Sequence, residues 1–146
     1  SQKRLFEEAS FTLQTAYGTP HDEVFAALSE RERIGSTALG KGCAVPHGRL
    51  QGLEEPAIAF LRTKEPLRLP SPDGSGAQLF IVILVPWAHP ERHLALLRET
   101  AALFSDDATR EALLAAPSQT EFCEIVTAWS APEDLHAEEE PAAQED

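Results

Sequence analysis

At 146 residues, with 42 % hydrophobic and 25 % charged side chains, the chain has the size and composition of one globular domain with a sizeable core. Its formal net charge of −12 excludes a basic footprint for nucleic acid, and the apolar run Leu79 to Pro86 is far too short to cross a bilayer as a helix. Residues 131–146 hold seven acids and no Lys or Arg, which leaves −5 of the −12 for residues 1–130.

In chain order, Leu5, Phe6, Ala9, Leu13, Ala16 and Tyr17 keep the rhythm of an amphipathic helix over residues 3–17, with Gly18 as its stop. Thr19-Pro20 reads as an N-cap followed by proline at the first position of a second helix, whose buried stripe is Val24, Phe25 and Leu28. That helix ends in the charged run Glu30 to Arg33.

The next stretch, Gly35 to Arg49 (GSTALGKGCAVPHGR), organises the chain. Its glycines Gly35, Gly40, Gly42 and Gly48 leave backbone amides unshielded. Pro46 pushes Val45 towards an extended conformation, so His47 is expected at the end of a strand-like run, with Gly48 turning the chain beside it. An imidazole on a stiff stalk, beside open amides and the cation of Arg49, suits a phosphoryl group.

Ala57 to Arg62 reads as a strand and Pro66 to Leu69 as a shorter one, followed by turn chemistry from Pro70 to Gly76. Leu79 to Val85 (LFIVILV) is apolar on both faces and β-branched, which marks the middle strand of a sheet covered on each side. Pro90 is expected to open a helix through Phe104, with His93 in or near its first turn. Ser105-Asp106-Asp107 caps another helix to about Ala116, and Ser118-x-x-Glu121 has the spacing of a capping box for a last one. The sum is an α/β fold, a mixed β-sheet with helices packed on both faces. Residues 1–130 form the domain, and the acidic 131–146 an extra, disordered tail.

The two cysteines, Cys43 and Cys123, show no disulfide framework or CxxC spacing, which fits a reducing, cytoplasmic setting. No signal segment opens the chain, and it contains no Met, so its first residue is expected to follow a processed leader or a trimmed start. His89 and His93 form an HxxxH pair, but Pro90 sets His89 before the helix, so no metal site is expected. Cys43 is simpler as a small core residue than as half of a Cys/His nucleophilic pair.

GSTALGKGCAVPHGR, the apolar strand ending at Val85-Pro86, and the His93-Leu94-x-x-Leu97 helix start together resemble one family. It is the enzyme IIA domain of the fructose/mannitol type in the bacterial phosphoenolpyruvate-dependent phosphotransferase system, closest to the stand-alone nitrogen-regulatory branch. The resemblance covers roughly residues 3–129. It implies that His47 accepts a phosphoryl group from an HPr-type carrier, which fits an imidazole that is substantially neutral near neutral pH. It also implies that His93 is the second active-site histidine, and that Arg31, sixteen positions before His47, is a candidate active-site cation. Arg49, Ser36, Thr37 and Gly48 are the remaining phosphate-binding candidates. No cofactor, nucleic acid or membrane insertion is implied; regulatory protein targets are. The alternatives are a sugar-specific enzyme IIA that passes phosphate to a separate IIB component, and a non-transferring binding module.

Overall fold

Helix α1 (Gln2–Tyr17) starts at Ser1, whose hydroxyl accepts the Arg4 amide hydrogen at 3.3 Å. It stops at Gly18, where a φ of 75° suits a residue without Cβ. The structure, a computed structural model, describes residues 1–129; the expected acidic tail lies outside the described residues. Contacts divide the chain into Ser1–Pro90 and a second unit from Glu91.

Leu5, Phe6, Ala9 and Leu13 are the buried stripe of α1, as their spacing predicts. Helix α2 (His21–Ile34) buries Val24 and Leu28 in the same core, with Phe25 packed against it. The Thr19 cap does not form. Pro20 takes the cap position without a side-chain bond, and Thr19 Oγ1 is buried with no hydrogen-bond partner among the described residues. Asp22 and Glu23, in the first turn, complement the positive end of the helix dipole instead.

The sheet holds β1 (Ala38–Gly40), β2 (Cys43–Ala44), β3 (His47–Leu50), β4 (Ala57–Leu67) and β5 (Ala77–Pro86). Strand β5 is its centre. Along it β4 runs antiparallel, with Ala57 opposite Leu84, while β2 and β3 run parallel, with Cys43 opposite Leu79 and His47 opposite Ile83. Strand β1 pairs antiparallel with β2. The sheet is therefore mixed, and the fold is the α/β one expected. Phe80, Val82 and Leu84 join the α1–α2 core, and Leu79, Ile81 and Ile83 are buried as completely. That double burial is why the run shows no polar alternation.

The two strands expected between residues 57 and 69 are one. The register of β4 shifts between Arg62 and Leu67, and Gln78 Nε2 donates to the carbonyls of Thr63 and Lys64 at 3.0 and 3.1 Å across the irregularity. A bulge of this kind lets the chain carry Pro66 without ending the strand. On β4, the Tyr17 hydroxyl accepts from the Ile58 amide at 3.2 Å and lies 3.3 Å from the Ile58 carbonyl, tying the end of α1 to the sheet.

Pro90 opens a 3₁₀ turn (Pro90–His93) rather than an α-helix, and α3 follows over Leu94–Ser105. In the second unit Asp106 caps α4 (Asp107–Ala115) by accepting the Ala108 amide hydrogen at 3.2 Å. Ser118 caps α5 (Gln119–Ala128) through the Glu121 amide at 3.2 Å, the bond that the capping-box spacing predicts. Leu103, Phe104, Leu113, Ala116 and Phe122 are the buried apolar side chains of the second unit.

Candidate functional site

Strands β2 and β3 follow one another along β5, and the break between them is Val45-Pro46. Pro46 has no amide hydrogen, but its carbonyl accepts from the Ile83 amide at 2.9 Å, so the ladder continues through the break. The Val45 amide donates to the Thr37 carbonyl at 3.1 Å, and the Val45 carbonyl lies 2.9 Å from His47 Nδ1. A carbonyl only accepts, so this contact assigns a hydrogen to Nδ1; in the neutral ring the lone pair then sits on Nε2. The half-buried imidazole is thus held in one tautomer with one nucleophilic nitrogen.

Two expectations about this segment change. His47 opens a strand rather than ending one, and Gly48 lies inside β3 instead of turning the chain. Glycine is needed there for space. A Cβ at Gly48 would stand 3.1 Å from the backbone carbon and oxygen of Ala27, so its absence lets α2 press directly on β3.

Strand alternation puts His47 and Arg49 on one face of β3, and Gly48 and Leu50 on the other, where Leu50 joins the core. Arg49 is exposed, and its guanidinium carbon lies 4.2 Å from the ring centroid of Trp87. Trp87 directly follows β5, and its amide donates to the Leu50 carbonyl at 3.1 Å. Sequence reasoning passes over Trp87, because nothing local marks it. The β3–β5 register is the missing signal, since it sets Arg49 opposite Val85, two residues before the indole.

Arg31 is differently engaged. Its Nη1 donates at 2.8 Å to the carbonyl of Gly35, the residue that ends α2, where a cation complements the negative end of the dipole.

Several amides of the glycine loop are already bonded within the fold. Thr37 is buried; its amide and hydroxyl both donate to the Glu32 carboxylate, at 2.9 and 2.7 Å. Ser36 Oγ accepts from the Ala38 amide at 3.2 Å. Further along, the Lys41 amide donates to Asp73 at 2.8 Å and the Gly42 amide to Ser75 Oγ at 3.0 Å. The Lys41 amide, with the Ser75 hydroxyl and amide, holds the Asp73 carboxyl at about 2, below the ordinary 3.8. These loop amides are consumed in fastening the loop, which leaves fewer for an anion.

His93, in the second unit, is half-buried at the N-cap position of α3, and its side chain makes no capping bond. His89 has a φ of 55° just before the 3₁₀ turn. Cys43 is fully buried. Among the described residues no three His, Cys, Asp or Glu are grouped to hold a metal ion, and no helix is long and apolar enough to cross a membrane.

The profile of the family described as "Phosphoenolpyruvate-dependent sugar phosphotransferase system, EIIA 2" matches residues 1–129. The chain belongs to this family. A nitrogen regulatory protein of Pseudomonas aeruginosa is 36 % identical to this EIIA 2 chain over 127 residues, covering 86 % of the chain and 82 % of the relative. A fructose-specific EIIA component of Haloferax volcanii is 35 % identical over 98 residues, 67 % of the chain and 64 % of the relative. Among solved structures, nitrogen regulatory protein IIA-Ntr from Neisseria meningitidis superposes with a TM-score of 0.78 at 42 % identity, covering 86 % of each chain. The IIA mannitol structure from Escherichia coli, at 22 % identity and a TM-score of 0.71 over 86 % of this chain and 88 % of that one, shares the EIIA 2 fold.

Proposed function

We propose that the chain is a regulatory phosphocarrier that accepts a phosphoryl group on Nε2 of His47 from the phosphohistidine of an HPr-type carrier. The observation that carries the reading is the 2.9 Å contact between His47 Nδ1 and the Val45 carbonyl, which leaves Nε2 as the nucleophile. In the transfer, the bond from phosphorus to Nε2 forms as the donor's N–P bond breaks, and the donor imidazole departs with that electron pair. The Nδ1 hydrogen stays on the ring, and its bond to the carbonyl eases the positive charge that grows there.

Of the two arginines, Arg49 is the phosphoryl contact. It shares the His47 face of β3, and its guanidinium makes no hydrogen bond or ion pair among the described residues. Arg31 holds the end of α2, and Ser36, Thr37 and Gly48 shape the support of His47. His93 is the candidate second active-site histidine that the resemblance implies. Its place at the start of α3, without a capping bond, supports that role. Ile34, Leu39 and Trp87 are large, exposed apolar side chains of the first unit, suited to being covered by a protein donor.

The names of the nitrogen regulatory relatives support a regulatory output, and in this reading phosphorylation state governs binding to other proteins in the cytoplasm. The fructose-specific relative favours a second reading, in which the chain hands phosphate to a separate IIB component. Residues 1–130 suffice for either, and residues 131–146 are an appendage to the carrier domain. Intact-mass spectrometry after incubation with phosphoenolpyruvate, the system's first general enzyme and its HPr-type carrier tests the core of the proposal. One acid-labile phosphoryl group is expected on the wild type and none on His47→Ala. A wild type that stays unlabelled beside an active carrier defeats the reading.

A further inference from the structure

We propose that a basic cleft beside the start of α1 binds a small organic phosphate monoester, an apolar body that carries a dianionic phosphate. The cleft has a volume of about 490 Å³. Its walls are the first turns of α1, the face of α2 that carries Phe25, Glu32 and Arg33, and residues 68–70 after β4. A space of that size takes a small organic ligand. His47 and Arg49 are not among its walls, so it is a site apart from the phosphoacceptor.

Charge sets the ligand class. Lys3, Arg33 and Arg68 come from three different elements and all line the cleft, where Glu32 is the one acid. Both Glu32 oxygens are engaged by Thr37, at 2.7 and 2.9 Å, so that carboxylate is turned away from the three cations. Lys3 and Arg68 make no side-chain hydrogen bond or ion pair among the described residues. Arg33 reaches only Glu30, at 3.5 Å between two exposed side chains, a contact worth little. The chain has 24 acids against 12 Lys and Arg. Three cations facing one space with a single, engaged acid are therefore not the background of this surface.

A phosphate monoester matches the walls in charge and shape. It carries close to two negative charges at neutral pH, which balance the excess of two positive charges. Arginine forks onto phosphate oxygens, and lysine adds a compact third charge. Ser36 Oγ accepts from the Ala38 amide, which leaves its own hydrogen free for a phosphate oxygen. The organic part meets Phe25 and Leu69, which are half-buried against the core and keep apolar surface towards the cleft.

The test is amide NMR of the full chain titrated with naphthyl phosphate, beside inorganic phosphate and naphthol as its two halves. Saturable shifts are expected around Lys3, Arg33 and Leu69, with each half binding at least about tenfold more weakly than the whole. Lys3→Ala and Arg68→Ala remove exposed side chains, so the fold is kept, and each is expected to weaken binding roughly three- to tenfold. Inorganic phosphate that binds as well as the monoester makes the cleft a site for the bare ion. Naphthol that binds as well makes it an apolar patch, and either result overturns the proposal. Shifts at His47 and Arg49 in place of the cleft overturn it too, as does binding that never saturates or that both alanine variants leave untouched.

Discussion

Val45 and His47 are joined at both levels of the chain: they flank Pro46 in sequence, and the Val45 carbonyl receives the His47 ring at 2.9 Å. The carbonyl is in turn fixed by the Val45 amide, which donates to Thr37, whose own amide and hydroxyl are held by Glu32. The orientation of the imidazole therefore depends on a carboxylate two steps away, on α2.

Glu32→Ala is expected to cost about 1.5–3 kcal/mol, since it strands the buried Thr37 hydroxyl and amide that a charged partner had satisfied. Glu32→Gln, which keeps a carbonyl acceptor, should cost less. Urea denaturation of the three proteins checks the order, and equal midpoints would contradict it.

Gly48→Ala is expected to destabilise by roughly 1–3 kcal/mol, because the new methyl group meets the Ala27 backbone at 3.1 Å and has no flexible side chain to displace. The strain falls between α2 and β3, so the rate of phosphorylation should fall along with the melting temperature. A variant with wild-type stability would show that α2 yields freely.

Asp73 carries a pH dependence. Its carboxyl is depressed to about 2 in the fold by the Lys41 amide and the Ser75 hydroxyl and amide. A depressed acid stabilises the fold above its ordinary value of 3.8 and loses that contribution as pH falls from there to about 2. Asp73→Asn is therefore expected to melt below wild type at neutral pH, and the gap should close across that acid window. A gap independent of pH would mean that charge at residue 73 is irrelevant.

Thr19→Val should be neutral or stabilising by up to about 1 kcal/mol, since the hydroxyl it removes is buried and unpartnered. Loss of stability would reveal a partner for that oxygen.

Much of the fold was legible because its signals are local. The stripe of α1, the stop at Gly18, the Ser118 cap and the doubly buried β5 each follow from residues near in sequence. His47 stands out for the same reason, in its Pro-His-Gly setting. What was not legible depends on pairing between distant segments. The parallel register of β3 on β5 converts Gly48 from a turn residue into a contact for Ala27, and brings Trp87 onto Arg49. Side-chain capture did the rest: Glu32, Asp73 and Ser75 take amides that the glycine pattern suggested were open, and the Gly35 carbonyl takes Arg31. The Thr19 cap failed because Pro20 occupies the position itself.

Histidine nitrogen NMR of the phosphorylated chain reads out which ring nitrogen of His47 carries the phosphoryl group. With labelled histidine, the two ring nitrogens are distinguished by their shifts and by coupling to phosphorus. Phosphorus is expected on Nε2 of His47, with a proton retained on Nδ1. Phosphorus on Nδ1, or on the ring of any other histidine, would contradict that assignment.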